Sequence, residues 1–176
     1  MSLLLIFLGN PGIQYRSTRH NLAWMFLDYL SFSKELQWQT KFKAEYAQHT
    51  IYGRTSRLLK PLTFMNKSGE SVAAALAFYK VDIEHVVIIH DDIEMDFGSF
   101  GFKKGGGLAG HNGLRSIAKS IGTREFSRFR LGIGRPARGS VSSYVLSTFE
   151  TAESVELPYV LNNAATEFER GIREWS

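Results

Sequence analysis

Hydrophobic positions along the chain fall into short unbroken runs, separated by stretches in which they recur at helical spacing. Residues 3–8 (LLLIFL), 57–62 (RLLKPL), 85–90 (HVVIIH) and 128–134 (RFRLGIG) read as strands. The first and third are apolar at every inner position, as expected of strands covered on both faces. Residues 44–52, AEYAQHTIY, alternate less regularly and predict a weaker strand.

Between these runs lie four helical patterns. Leu22, Met25, Phe26 and Tyr29 share one face over residues 21–29. Residues 68–79, SGESVAAALAFY, predict a second helix with Ser68 or Asn66 as its N-cap, and residues 114–121 a short third. Over 151–174, Leu161, Ala164, Ala165 and Phe168 line one face of a fourth, with Pro158 early in it. Strands alternating with helices predict an α/β fold, a single twisted, mixed and mainly parallel sheet flanked by helices on both faces. Residues 138–144, RGSVSSY, form the loosest segment. The roughly 30 residues beyond it are too few for a domain, so residues 1–176 read as one domain.

A hydrophobic content of 44% with 22% charged residues suffices for a buried core and excludes a disordered chain. The run at 3–8 is too short to span a bilayer and lacks the flanks of a signal peptide. Cysteine is absent, which excludes disulfides, thiolate nucleophiles and cysteine-bound zinc and fits a cytoplasmic location. The net charge of +4 hides an asymmetry, because residues 150–176 carry six acids against two bases. Residues 103–138 hold nine Lys or Arg and one acid, Glu125. That basic stripe points to a polyanion, nucleic acid foremost.

Polar clusters stand where strands end, the usual place for sites in open α/β sheets. They are GNPGIQYRSTRHN at 9–21, TFMN at 63–66, HDD at 90–92 and GGGLAGHNGLRSI at 105–117. A glycine-rich loop entering a helix suggests phosphate binding, yet a phosphate cradle has no need of His111 and Asn112 at its tip. Each cluster has a plain structural reading: Asn10 as a turn residue, Asn66 as a cap, His20 as a hydrogen-bonded structural histidine. His90, Asp91 and Asp92 with Asp96 also suit a divalent cation, as in a metal-dependent phosphoesterase. No G-x-S-x-G elbow, P-loop or Rossmann fingerprint is present. What remains is a histidine oriented by a carboxylate, deprotonating water while amide side chains hold the water or a carbonyl oxygen. That is direct hydrolysis of an activated ester.

Five blocks in order resemble bacterial-type peptidyl-tRNA hydrolase: GNPG with Tyr15 and TRHN at 9–21, KPLTFMNKSGESV at 60–72, VVIIHDD at 86–92, GGG and GHNGLRSI at 105–117, and RFRLGIGRP at 128–136. The resemblance implies hydrolysis of the ester joining an N-blocked peptide to the 3′ ribose of tRNA, recycling tRNA from stalled chains. It implies His20 as the catalytic base, Asp91 as its orienting partner and Asn10 beside the scissile ester. It further implies that Tyr15, Met65, Asn66, His111 and Asn112 hold the peptide and the tRNA 3′ end, and that Lys103 and Arg130 contact the acceptor stem. Neither a metal nor an organic cofactor is implied, and the expected form is a cytoplasmic monomer without membrane association. Gly101 departs from the pattern, standing where members frequently place a second basic residue. A non-catalytic RNA-binding module would be expected to lack one of Asn10, His20 and Asp91, and all three are present.

Overall fold

A computed structural model describes residues 2–176. Seven strands form one mixed sheet: β1 (Leu3–Phe7), β2 (Gln39–Lys41), β3 (Ala44–Ile51), β4 (Arg54–Pro61), β5 (Val86–Asp92), β6 (Phe100–Lys104) and β7 (Ser127–Gly132), in the order β2-β3-β4-β1-β5-β7-β6. The centre, β4-β1-β5-β7, is parallel. β2 and β3 extend one edge and β6 the other, each by antiparallel pairing.

Five helices cover this sheet: α1 (Leu22–Leu27), α2 (Ser68–Tyr79), α3 (Asn112–Ile121), α4 (Val141–Val145) and α5 (Thr151–Arg173). The continuous apolar run of β1 divides between two cores. Leu3, Leu5 and Phe7 pack with Phe26 of α1 and Phe168 of α5 on one face. Leu4, Ile6 and Leu8 pack with Val72 of α2 and Leu114 and Ile117 of α3 on the other. Burial on both faces is why the central strands carry no polar alternation.

The expected strands all form, with ends shifted by up to three residues, and the weak one at 44–52 becomes β3. β2 and β6 were not predicted: QTK is wholly polar and FGFKK is broken by glycine. Neither proposed cap of α2 operates. Lys67 occupies the N-cap without a side-chain bond, and Ser68 Oγ instead donates to the Met65 carbonyl at 2.8 Å. The loose segment at 138–144 contains the start of α4, capped by Ser140. Among the described residues no helix is long and apolar enough to cross a membrane.

Candidate active site

β1 and β4 run parallel and adjacent, with β5 on the far side of β1, so the loops after all three emerge at one end of the sheet. This is the crevice at the carboxyl ends of parallel strands where α/β sites form. A cleft of about 270 Å³ opens there, lined among others by Asn10, His20, Met65, Asn66, Asp91 and Asn112.

His20 lies in the 3-10 turn Arg19–Asn21 that leads into α1. Its Nδ1 is 3.0 and 2.8 Å from the two carboxylate oxygens of Asp91, 71 residues away in sequence. A carboxylate only accepts, so the proton sits on Nδ1 and the Nε2 lone pair is left for the cleft. Burial lowers the affinity of His20 for a second proton, but the charge and hydrogen bond of Asp91 outweigh it and raise the group above the ordinary 6.5.

His111 completes the cluster from α3. Its Nδ1 accepts the backbone N–H groups of Gly113 and Leu114 at 3.1 and 3.3 Å, capping the helix. The ring proton therefore sits on Nε2, which donates to Asp91 Oδ1 at 2.9 Å. Asp91 thus accepts from two imidazoles. Burial would raise its carboxyl, but His20 and His111 together hold it well below the usual carboxylate range. His90, pushed down to about 3 by burial and by His111, is neutral; its Nδ1 donates to the Asp91 carbonyl at 2.8 Å.

Asn10 is held by its backbone. Its N–H donates to Asn21 Oδ1 and its carbonyl accepts from Asn21 Nδ2, both at 2.9 Å. Asn10 Oδ1 accepts the Met65 N–H at 2.7 Å, which turns the Asn10 NH₂ toward the cleft. Phe64, just before Met65, has φ 62° and ψ 157°, a conformation that non-glycine residues rarely adopt. Gly113 lets α3 approach, because a Cβ there would lie 2.6 Å from the Met65 sulfur.

The glycine loop is not a phosphate cradle. The Gly113 and Leu114 amides that an anion would use are occupied by His111. Arg128, buried, donates to the carbonyls of Gly107 at 2.6 Å and Gly106 at 2.9 Å and so clamps the loop from beneath. Part of the basic stripe is therefore internal scaffolding. Lys103 lies opposite Arg128 across β6 and β7, and Arg130 opposite Gly101, which puts all four on one face of the sheet edge. Lys103 is exposed, whereas Arg130 is partly buried with Nη1 3.7 Å from Asp92 Oδ2. Tyr15 stands beside the cleft, edge-on to Phe64 at 6.3 Å between ring centres.

The metal-ligand set of His90, Asp91, Asp92 and Asp96 does not converge. Asp92 Oδ1 accepts the Glu94 N–H at 2.8 Å within a turn, and His90 is bonded to backbone. The group among the described residues whose ligand atoms do converge is His20, Asp91 and His111, within 4.8 Å of one another. A metal there would displace both imidazole protons, and the His111 proton has nowhere to go, because Nδ1 holds the helix cap. The donor set fits a hydrogen-bonded triad better than a metal centre.

Sequence reasoning missed Arg128, Asn21 and the α4 wall, where Val141, Val145 and Leu146 line the cleft. Arg128 was visible only as one charge among nine, and Asn21 only as the last residue of TRHN.

The sequence and fold have known counterparts. The family model described as peptidyl-tRNA hydrolase matches residues 4–174. The peptidyl-tRNA hydrolase of Treponema pallidum is 48% identical over 88% of this chain and 79% of its own length. That of Geotalea daltonii is 44% identical over 97% of this chain and 90% of its own. The crystal structure of peptidyl-tRNA hydrolase from Acinetobacter baumannii superposes with a TM-score of 0.89 at 34% identity, covering 98% of this chain and 88% of that one. The chain belongs to the peptidyl-tRNA hydrolase family.

Proposed function

We propose that this chain hydrolyses the ester of peptidyl-tRNA by direct attack of water, with His20 as general base and Asp91 as its orienting partner. The observation that carries the mechanism is the pairing of His20 Nδ1 with the Asp91 carboxylate, which leaves Nε2 as a lone pair facing the cleft. Water deprotonated there attacks the ester carbonyl. The resulting oxyanion is stabilised by amide donors, for which the Asn10 NH₂ is placed by its bond to Met65. The base then returns its proton to the departing ribose oxygen, and no covalent intermediate is required. Asn66 and Asn112, both exposed at the rim, suit contacts to the main chain of a peptide whose side chains vary. His111 supports the base through Asp91 and presents its ring, tilted and 4.8 Å from that of His20, to the substrate.

Lys103 and Arg130 supply phosphate contacts for the acceptor stem, which give affinity without sequence preference. The absence of cysteine supports a cytoplasmic setting.

The direct test is release of peptide from N-acetyl-aminoacyl-tRNA by the purified protein in the presence of chelator. Undiminished release is expected, and turnover lost in chelator would restore a metal-dependent reading. Because the base works only when Nε2 is unprotonated, kcat should rise with pH to a plateau. The midpoint should lie above the ordinary imidazole value, since Asp91 raises His20. A midpoint below 6.5 would reject that pairing in the working enzyme.

Arg130→Ala should weaken tRNA binding and flatten the logarithmic dependence of affinity on salt by roughly one unit, the signature of one lost phosphate contact. An unchanged salt slope would place Arg130 outside the interface.

A further inference from the structure

The residue before His20 is buried as fully as the base, and its partners lie in and just beyond α4, the helix that walls the cleft. The Arg19 Nη1 is 2.6 Å from Ser147 Oγ and 3.3 Å from the Tyr144 carbonyl, and Nη2 is 3.2 Å from Glu153 Oε1. The guanidinium lies 4.0 Å over the Tyr144 ring and 5.5 Å from that of Phe149. The backbone follows the same path: the Arg19 N–H donates to the Ser147 carbonyl at 3.0 Å, and Thr18 bridges to Thr148.

These partners sit at defined points of the wall. Tyr144 belongs to α4, whose Val141 and Val145 line the cleft, and its hydroxyl donates to the Ile133 carbonyl just beyond β7 at 2.6 Å. Glu153 also accepts the Glu150 N–H at 3.0 Å, closing the first turn of α5. The array fixes both terminal nitrogens of the guanidinium while Nε stays unpartnered, so the contacts set the direction of the side chain. A planar guanidinium with fixed partners at three points holds an angle, which a flexible ammonium does not.

We propose that Arg19 is a positioning residue that fixes the orientation of His20 relative to the α4 wall of the cleft. The 3-10 turn Arg19–Asn21 is three residues long and buried throughout, so a shift of the wall against which the peptide packs is transmitted to the imidazole one residue on. The same turn carries Asn21, which holds Asn10, so the base and the amide donor move as one unit.

The test is steady-state peptide release by Arg19→Lys, Glu153→Gln and the double variant, measured at 25 °C beside thermal melting. Arg19→Lys should lower kcat by roughly ten- to hundred-fold, the cost of misplacing a catalytic group, while KM stays within about two-fold. The double variant should lose no more than Arg19→Lys alone, because both changes break one network. Ser147→Ala, which deletes the hydroxyl that accepts from Arg19 and donates to the Tyr144 carbonyl, should show the same loss confined to kcat on a smaller scale, and covers the case in which Arg19→Lys fails to fold. Unaltered kcat in the folded variants, with only the melting temperature lowered, would overturn the proposal. So would a change confined to KM. The inference rests on His20 as base: activity retained in His20→Ala rejects both readings, whereas loss there with unaltered kcat in Arg19→Lys rejects the coupling alone.

Discussion

Release of peptide from peptidyl-tRNA should fall by roughly 10²- to 10⁴-fold when His20 is replaced by alanine, the usual contribution of a positioned general base. The loss should lie in kcat. Lys103 and Arg130, the proposed tRNA contacts, do not line the cleft, so tRNA affinity should be unchanged. The fold should persist. Asp91 loses one donor but keeps the Nε2–H of His111 at 2.9 Å, and one lost buried hydrogen bond costs about 1–3 kcal/mol against a typical total of about 5–15. Circular dichroism and tRNA affinity separate a missing base from a missing fold. Turnover near the wild-type rate in a folded His20→Ala protein would remove the base assignment altogether.

Asp91→Asn, nearly isosteric, is expected to be as damaging as Asp91→Ala or more so. Asp91 accepts from two N–H groups, His20 Nδ1 and His111 Nε2. An amide offers one oxygen and one NH₂, so it satisfies only one of the two without a change of tautomer. The tautomer of His111 is locked, because its Nδ1 holds the amides of Gly113 and Leu114. The amide oxygen therefore turns to His111, and the NH₂ faces His20 Nδ1. His20 then carries its proton on Nε2, where the base needs a lone pair. Replacing the orienting carboxylate of a histidine-based hydrolase by its amide has this consequence elsewhere, at a cost of about 10⁴-fold in kcat. An alanine leaves room for water to accept from Nδ1 and is free of the wrong-tautomer trap. Nitrogen-15 NMR of the His20 ring should show the proton on Nδ1 in the parent protein and on Nε2 in Asp91→Asn. A variant that keeps both its rate and the Nδ1 proton would remove the need for a carboxylate at this position.

The stability effect of the same pair runs the other way along the pH axis from the rate. A histidine raised above its unfolded value stabilises the fold fully below the unfolded pKa, and that contribution disappears as pH climbs through the raised value. With His20 as the proposed base, activity should rise over the interval in which the charged His20–Asp91 pair stops adding stability.

Much of this arrangement was legible in the chain. The runs at 3–8 and 85–90 announce strands covered on both faces, and their ends place Asn10 and Asp91 where parallel strands finish. Residues 68–79 form a helix with the expected bounds. The residue types at those ends, His with Asp and Asn and no cysteine, narrow the chemistry to water activated by an imidazole. The edges were not legible. β2 owes its strand state to a neighbour's unpaired backbone, and β6 to that pairing together with Phe100 and Phe102, whose alternation spans too few residues to announce a strand. α4 hides in a serine-rich stretch, and one of its contacts, the Tyr144 carbonyl, is met by Arg19 from 125 residues upstream.

The roles of individual polar residues divide along the same line. Periodicity and turn chemistry act over a few positions, so the sequence by itself determined the central strands and the longer helices, and hence that Asn10, Met65, Asp91 and His111 stand at or just beyond the ends of such elements. Whether a charge faces phosphate or a carbonyl, and which ring nitrogen keeps its proton, depends on partners far along the chain. Arg128 became a clamp on the glycine loop, His111 a helix cap that locks its own tautomer, and Arg19 a buried link between the His20 turn and the segment after α4. Only the tertiary structure decided these, because a hydrogen bond requires its two atoms within about 3 Å, and no local pattern encodes that distance.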